Sequence, residues 1–339
     1  MNKFKFYFIL IITSITIFSC SKNDDSATVE PLRDYQTQYD TEIKIIEEYL
    51  KTNYITVTNA PGQTSDQDVV ISKITNAATQ PSIMSYLNAA TFPKLLTKTV
   101  RQNDVDYTLY YLVLRQGKKD AVTGLGGMSP CNVDGVLTSY RGTYLSQTTA
   151  TDTTPSTITA TQFEDAVLPG DFFSLFTTQT IPLQGWSEVF PEFKTGSYVS
   201  NPNGTITYND FGSGVMFLPS GLGYYASGSG AIPAYAPLVF SFKLYEIQRA
   251  DQDNDGIPSY LEDLNGDGFM RILATGVENP DDTDKDGIPD FYDVDDDGDN
   301  YTTKLEIKNP LTGLPYPFAD IPTCSPSGKK VYLDKTCHP

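Results

Sequence analysis

The concentration of negative charge in one short segment is the feature that most constrains how this chain can fold. Residues 251–300 hold 17 Asp and Glu against two Lys and Arg, a local net charge of −15 out of −18 for all 339 residues. Carboxylates at this density repel one another, so the segment either stays extended or folds around cations. The same charge balance repels phosphate backbones, and we therefore expect no nucleic-acid partner.

The acidic residues follow the spacing of a calcium-binding loop. Asp251, Asp253 and Asp255 precede Gly256 and, six positions later, Glu262, which satisfies D-x-D-x-D-G-x5-E. Oxygen-rich sites without sulfur favour Ca²⁺ over zinc or copper. Two further D-x-D-x-D-G runs begin at residues 282 and 293, so the predicted metal ligands are Asp251, Asp253, Asp255, Glu262, Asp282, Asp284, Asp286, Asp293, Asp295, Asp297 and Asp299.

Two prolines distinguish these repeats from helical calcium loops. Pro258 and Pro289 stand where an EF-hand would begin a helix, and the repeated D-x-D-x-D-G-I-P resembles the thrombospondin type 3 calcium repeats of exported bacterial proteins. The resemblance implies an irregular calcium-binding segment over 249–300. Calcium there would be structural, stiffening a spacer or a docking surface, and would take no part in catalysis. The alternative is a disordered acidic linker.

The N-terminus has the pattern of an export signal. A short basic start precedes an apolar run over 6–18 that is too short for an ordinary membrane-spanning helix. The Ile-Phe-Ser-Cys sequence ending at Cys20 resembles a bacterial lipobox, which implies removal of residues 1–19 and membrane anchoring through a lipidated Cys20. Residues 20–32 then form a tether whose acidic start resembles the tag of surface-exposed outer-membrane lipoproteins of Gram-negative bacteria. The alternative is an ordinary signal peptide with a chance cysteine.

The remaining cysteines agree with export. With Cys20 lipidated, the three others permit one disulfide and one free thiol. We expect Cys324 to pair with Cys337, since a Ser-Pro-Ser-Gly turn follows the first of them, and the state of Cys131 stays open. The tail over 301–339 is punctuated by proline and is expected to pack only lightly apart from this disulfide.

The chain offers few of the usual catalytic groups. Histidine occurs once, at His338, one position from the C-terminal residue. Ser-His-Asp, Cys-His and HExxH sites therefore lack a base or a ligand. The sequences G-x-x-x-x-G-K-[ST] and G-x-G-x-x-G are also absent, which removes the commonest nucleotide-binding signatures. Any catalytic activity must therefore do without histidine.

Hydrophobic periodicity divides the rest of the chain into two parts. Apolar residues recur at three- and four-residue steps over 33–53, which predicts an amphipathic helix at the start of a mixed region, 33–105. Residues 54–105 have no pattern that assigns them. Residues 146–161 are rich in Thr and Ser and are typical of a loop or an exposed ribbon. Val-, Leu- and Tyr-rich runs bounded by Gly and Pro predict antiparallel strands at Tyr107–Leu114, Val136–Leu145, Gly214–Leu218 and Leu238–Ile247.

Three blocks of sequence in this second part occur in a characteristic order. Ser139–Gly142 comes first, then Leu183–Glu188 with the only tryptophan, and last Leu218–Tyr224, followed by Ala231–Pro233 and Leu238–Leu244. The series resembles the FKBP-type peptidyl-prolyl cis-trans isomerases, which have a YxG strand, an (I/L)xGW entry to a single helix, an IPSxLAYG-like turn and a closing apolar strand. The resemblance spans roughly 140 residues.

The resemblance implies an α+β fold, an FKBP-like antiparallel half-barrel around one short helix, over 106–248. It also implies a concave apolar site, open to solvent, with Trp186 at its floor. Tyr224 would donate a hydrogen bond to the substrate carbonyl, and the backbone N–H of Ile232 would bind the other side of the peptide. By position, the catalytic residues are Tyr140, Phe163, Glu164, Trp186, Tyr224, Ile232 and Phe240, and the substrate pocket adds Phe173 and Leu183.

The expected activity is isomerisation of X-Pro bonds in exported or cell-surface polypeptides, with no cofactor for catalysis. Amide resonance opposes rotation by about 18–20 kcal/mol, and a dry aromatic pocket disfavours the charge-separated planar state. Most family members have Phe-Asp where this chain has Phe163, Glu164 and Asp165, so the acidic group is either one methylene longer or one residue displaced, a departure that could weaken activity. One alternative is a binding subunit of an outer-membrane transport or secretion complex that no longer turns over, and another is a calcium-stiffened adhesion protein.

Overall fold

The structure, a computed structural model, describes residues 31–152, 155–176 and 183–338. The predicted signal peptide and Cys20 lie outside these residues. Within the described ranges, no helix is both long enough and apolar enough to cross a bilayer. The chain from Asp34 onward forms one unit, so the strands, the acidic segment and the tail pack together.

The first helix, α1, spans Tyr35–Thr52, inside the range that the periodicity predicts. Asp34 caps it by accepting a hydrogen bond from Thr37 N at 2.9 Å, which satisfies one of the free amides of the first turn. Its buried residues include Ile46, Tyr49 and Leu50, which face the central sheet. Burial of this stripe holds the helix in place, since an isolated helix of this length is only marginally stable.

Residues 53–102, most of which the sequence left unassigned, form three strands and a turn. β1 (Asn53–Val57) and β2 (Val69–Lys73) make a separate antiparallel pair. A 3-10 turn over Ile83–Tyr86 leads to β3 (Lys94–Gln102), which is the edge strand of the central sheet.

The central sheet has seven strands, all antiparallel. Its order is β3, β4, β10, β11, β5, β6, with β7 paired to the start of β5. A second small pair consists of β8 and β9. The bounds are β4 Val105–Arg115, β5 Gly135–Gln147, β6 Ile158–Ala166, β7 Phe173–Ser174, β8 Ser197–Ser200, β9 Ile206–Asn209, β10 Gly212–Leu218 and β11 Leu238–Gln248.

Both faces of this curled sheet are covered, and β10 illustrates how. Met216 and Leu218 pack toward the short helix α2 (Gln184–Val189), whereas Val215 and Phe217 pack toward α1. Successive side chains of a strand point to opposite faces, so a strand buried on both sides reads as a continuous apolar run. The predicted antiparallel strands are confirmed, and the Thr-rich segment is an exposed ribbon in which Gln147 pairs with Ile158.

The C-terminal part consists of irregular loops with short helical turns. The turns are Ser259–Leu261, Asp290–Tyr292, Phe318–Asp320 and Val331–Leu333, and the helix α3 spans Thr303–Glu306. Cys324 and Cys337 are joined by a disulfide, with their Cα atoms 5.8 Å apart. Cys131 is free and buried, and burial raises the pKa of its thiol.

The tail packs more tightly than its proline content suggests. Tyr332 and Ile321 are buried in one apolar cluster with Ile257 and Ile307. The expectation of light packing is therefore wrong, because the tail covers Ile257, the seventh residue of the first acidic loop.

Candidate functional site

Five aromatic rings from five separate segments meet on the α2 side of the sheet. They belong to Tyr140, Phe163, Phe173, Trp186 and Phe240, all of which the sequence predicts for the site. The centroid of Trp186 lies 5.0 Å from Tyr140 and 5.3 Å from Phe240, and Phe163 lies 5.7 Å from Phe240. The rings meet edge to face, which places the positive edge of one against the negative face of another.

Gly142 makes room for this arrangement. A Cβ atom at this position would lie 2.3 Å from the Phe163 ring and 3.0 Å from the Phe240 ring. Tyr140 and Gly142 are two residues apart on β5 and therefore share one face of the sheet. The Tyr-x-Gly spacing thus supplies one ring of the cluster and the space for two others.

A β-bulge in β6 sets which acidic residue faces the rings. Gly142 is opposite Glu164 and Thr143 is opposite Gln162, so Phe163 is the extra residue. The hydroxyl of Tyr140 donates a hydrogen bond to the Glu164 carboxylate, and burial together with this bond raises the pKa of Tyr140. Asp165 instead pairs with Arg141 at 2.9 Å. Glu164 is therefore the acidic side chain of the cluster.

Trp186 lies near the start of α2 and is almost covered. Its exposed fraction is 6%, and the most exposed ring around it is Phe173, at 42%, which contacts both Trp186 and Tyr140 at 6.0 Å between centroids. Leu183, at the N-cap of α2, is also buried. The open floor expected from the sequence is thus replaced by packed rings. The indole Nε1–H nevertheless has no hydrogen-bond partner among the described residues.

Tyr224 and Ile232 lie at the edge of this cluster, and one of their expected roles needs correction. The half-buried Tyr224 packs against the ring cluster, its phenol is hydrogen-bonded to the Ser229 side chain, and burial raises its pKa. The N–H of Ile232 donates to the Ser229 carbonyl at 2.8 Å, so it is not free to bind a peptide. Gly228 and Gly230, at φ +57° and +55°, close the tight turn that makes this bond.

The sequence did not reveal that α1 supports the turn before Tyr224. The carboxylate of Glu42, buried on α1, accepts hydrogen bonds from Ser220 N at 2.7 Å and Ser220 Oγ at 2.5 Å. The 3-10 turn Ser220–Leu222 follows directly from β10. The Leu-Pro-Ser-Gly sequence indicated this turn, but only the tertiary structure places its partner.

Four acidic loops, one more than predicted, repeat a single geometry. In each, the amide of the sixth residue donates to the carboxylate of the first, and the sixth residue, Gly or Asn, has positive φ. The donor and acceptor pairs are Gly256 N and Asp251 Oδ2 at 3.2 Å, Gly268 N and Asp263 Oδ2 at 2.7 Å, Gly287 N and Asp282 Oδ2 at 3.0 Å, and Asn300 N and Asp295 Oδ2 at 3.0 Å.

The register of the last loop differs from the predicted one. It begins at Asp295 rather than at Asp293, its sixth residue is Asn300 and its twelfth is Glu306. Asp293 is instead the twelfth residue of the loop that begins at Asp282. The sequence pattern placed Gly at the sixth position and so missed an Asn in the same conformation, at φ +75°.

Among the residues that the structure describes, carboxylates converge in three clusters, and the first joins two distant loops. Asp253, Asp255 and Glu262 of the first loop meet Asp296 of the last, with one oxygen of each within 4.8 Å of the others. Glu262 and Asp296 are each 1% exposed, and their carboxylate oxygens have no hydrogen-bond partner among the described residues. The other two clusters are Asp282, Asp284 and Asp286, and Asp295, Asp297 and Asp299.

The electrostatics of the first cluster call for a positive charge. Burial and the neighbouring carboxylates raise the pKa of Glu262 to about 11 and that of Asp296 to about 10. Buried carboxylates without partners cost several kcal/mol unless they are protonated or bind a cation. An all-oxygen donor set of this kind fits a hard cation such as Ca²⁺.

Comparison with known proteins gives one family match and several similar structures. A family described as BamM C-terminal matches residues 252–330, which cover most of the acidic loops and the tail. No curated protein matches the chain. A peptidyl-prolyl cis-trans isomerase from Pseudomonas syringae pv. tomato aligns with 14% identity over 65% of this chain and 99% of its own, at a TM-score of 0.31.

Two further structures are similar over about half of the chain. FkpA from Escherichia coli is 22% identical, over 47% of this chain and 54% of its own, with a TM-score of 0.28. A multi-domain immunophilin from Arabidopsis thaliana is 13% identical, over 46% and 47%, with a TM-score of 0.29. With identities of 13–22% and TM-scores near 0.3, these similarities say nothing about activity.

Proposed function

We propose that this protein is an FKBP-type peptidyl-prolyl cis-trans isomerase that acts on exported or cell-surface polypeptides. One observation supports the proposal above the others. Five ring residues that match the family pattern, spread over about a hundred positions of sequence, lie together on one face of an antiparallel sheet. Packing for stability alone does not require those residues in that order.

The proposed chemistry uses low polarity and positioned donors. Rotation about an X-Pro bond passes through a twisted state with less charge separation than the planar amide, so aromatic walls that exclude water favour the twisted state. The Nε1–H of Trp186 is a buried donor available to a prolyl carbonyl. Tyr224 lies at the rim and can exchange its bond to Ser229 for one to the substrate.

Entry of a prolyl ring requires Phe173 to move. This residue sits on β7, a two-residue strand paired only with the start of β5, so its displacement breaks few backbone hydrogen bonds. Part of the binding free energy is then spent on opening the site, which lowers affinity. We therefore propose an isomerase that works slowly on short peptides.

The direct test is NMR exchange spectroscopy on a proline-containing tetrapeptide with the full chain. Accelerated cis-trans exchange that is lost in Tyr224→Ala, with unchanged melting, supports the proposal. Exchange at the uncatalysed rate in the presence of folded protein would refute catalysis.

A second candidate function is a binding subunit of an outer-membrane protein complex. The match of residues 252–330 to a BamM C-terminal family favours it, as does the covered indole. In this case the ring cluster would hold a partner without turnover. Purification from membranes in mild detergent distinguishes the two, because a subunit elutes with a stoichiometric companion and a free enzyme elutes alone.

We also propose that Cys20 is lipidated and anchors the protein to the outer membrane, on the cell surface. The lipobox-like sequence and the acidic residues after it support this. Labelling with palmitate tests the anchor, and loss of the protein from intact cells treated with protease tests exposure. Labelling without cleavage would place the protein on the periplasmic side.

Finally, we propose that the acidic loops bind structural Ca²⁺. The buried, unpartnered carboxylates of Glu262 and Asp296 carry this proposal. When bound, the cation would neutralise the carboxylates and hold the first loop against the last. Asp253, Asp255, Glu262 and Asp296 would supply its first site, and Asp295, Asp297 and Asp299 another.

A further inference from the structure

The helix that carries Trp186 is tied to the acidic segment by one arginine. Glu188, two residues after Trp186, is 1% exposed, and both of its carboxylate oxygens accept hydrogen bonds from the Arg271 guanidinium, at 2.9 and 3.3 Å. Lys98 of β3 lies 3.2 Å from the same carboxylate and Gln184 donates to it at 2.9 Å. A two-pronged Arg–carboxylate contact fixes direction as well as distance.

The backbone at and just before Arg271 is hydrogen-bonded to two asparagine side chains. Asn132, on the loop before β5, donates to the carbonyl of Met270 at 2.6 Å and accepts from its amide at 2.8 Å. The Asn279 side chain donates to the Arg271 carbonyl at 2.8 Å. The ring of Phe269 lies under Lys98, 3.6 Å from its Nζ atom. We call residues 269–271 the strap.

The strap lies, in sequence, between Glu262 and Asp296, the two ends of a stretch of chain that meet in the first carboxylate cluster. A cation bound there would fix both ends of the intervening chain and reduce the conformations open to it. Without the cation, the buried carboxylates can ionise only if the two ends of this stretch move apart.

We infer that Arg271 is a positioning residue that couples cation binding in the acidic loops to the placement of the helix carrying Trp186. The inference rests on the calcium proposal above. Release of the cation loosens the strap and withdraws Arg271 from Glu188. Among the described residues, Lys98 is then the one cation left beside the buried carboxylate, and α2 shifts relative to the sheet.

The single tryptophan makes the test direct, since all tryptophan emission comes from Trp186. We would record emission and acrylamide quenching of the full chain in Ca²⁺ and after chelation. Chelation should shift the wild-type emission to the red and increase quenching. Arg271→Ala in Ca²⁺ should already show both changes and respond no further to chelation, while calorimetry still detects Ca²⁺ binding, with an affinity lowered by the lost coupling. Arg271→Lys should restore part of the response.

Arg101→Ala is the matched control. Arg101 lines the same cavity of about 300 Å³ as Arg271, but its ion pairs are with Asp104 and Asp106 rather than with α2. Its Trp186 emission, its quenching and their response to chelation should match those of the wild type. A second variant, Glu188→Gln, disrupts the contact from the side of α2. The double variant with Arg271→Ala should show no larger change in Trp186 emission or quenching than Arg271→Ala alone.

The outcomes separate this inference from the proposals on which it rests. If calorimetry of the wild type detects heat from Ca²⁺ binding but chelation leaves the Trp186 emission unchanged, the coupling is overturned and the calcium proposal stands. An Arg271→Ala variant that responds to Ca²⁺ as the wild type does would also overturn it. Absence of any calcium heat would overturn both. If chelation shifts the Trp186 emission as expected but the chain does not accelerate prolyl isomerisation, the coupling is supported and only the isomerase proposal is refuted.

Discussion

Glu42 and Ser220 are 178 positions apart in sequence, yet the carboxylate of the first accepts hydrogen bonds from both the amide and the hydroxyl of the second. The contact joins the N-terminal helix to the turn that precedes Tyr224. The helix is therefore part of the framework of the candidate site.

Replacement of Glu42 by Ala should destabilise the whole unit. Two buried donors of Ser220 would lose their acceptor, and we expect the free energy of unfolding to fall by about 2–3 kcal/mol. Urea denaturation measures this. Glu48→Ala, on the exposed face of the same helix, is the control and should change stability by less than about 0.5 kcal/mol. Equal effects of the two changes would contradict the proposed bracing.

Gly142→Ala should disturb the ring cluster. The added methyl would meet the Phe163 ring, and overpacking of this kind costs about 1–3 kcal/mol. We expect lower thermal stability and lower isomerase activity. Gly170→Ala serves as the control, because a Cβ there meets no atom within 4 Å. A Gly142→Ala variant as stable and as active as Gly170→Ala would show that the rings do not pack against Gly142.

Phe173→Ala should open the site. Removal of the most exposed ring uncovers Trp186, so acrylamide quenching should increase, and peptide binding should strengthen because no ring has to move. Fluorescence quenching and peptide titration check both effects. Phe172→Ala removes a neighbouring exposed ring and should change neither. If quenching stays the same in Phe173→Ala, this ring does not cover the indole.

Tyr224→Phe should slow catalysis with little change in folding. Loss of one hydrogen bond to substrate, about 1 kcal/mol, corresponds to roughly a five- to tenfold lower kcat/KM. NMR exchange measures the rate, and melting checks the fold. Tyr235→Phe is a suitable control, since it removes a tyrosine hydroxyl from the loop that follows Ile232. An unchanged rate in Tyr224→Phe would show that the Tyr224 hydroxyl takes no part in catalysis.

The stability of the chain should depend on pH through Glu188. Burial raises the pKa of this carboxyl, but Arg271 and Lys98 more than offset that effect, so its pKa lies below the usual value near 4.5. A lowered pKa stabilises the folded state above the unfolded pKa, and the contribution is lost as pH falls through the folded value. Between pH 6 and pH 3, the wild type should therefore lose more stability than Glu188→Gln. Thermal melting at each pH measures this. An equal fall in melting temperature of the two proteins between pH 6 and pH 3 would contradict the prediction.

Strand positions were predictable because alternation and turn residues are local. The four predicted strands of the central sheet occur within two residues of the expected bounds, and the rings of Tyr140, Trp186 and Phe240 meet as the order of the sequence blocks implies. These features depend on neighbours in sequence or on a recognisable pattern.

Other features depend on contacts that no local pattern encodes. The bulge at Phe163 shifts the pairing by one residue, and the amide of Ile232 is satisfied by Ser229 within its own turn. Asp296 joins the first loop from outside the twelve-residue motif. Asn300 takes a conformation usually given to Gly, which hid the register of the last loop.

The first acidic loop shows that a complete sequence motif is not a complete site. Its fourth carboxylate comes from Asp296, and its apolar neighbours Ile307, Ile321 and Tyr332 come later still. During synthesis the loop therefore has to wait for nearly the whole C-terminus to emerge. A fragment that stops at residue 290 would contain every letter of D-x-D-x-D-G-x5-E, yet it would lack both the last ligand and the cover that keeps water out.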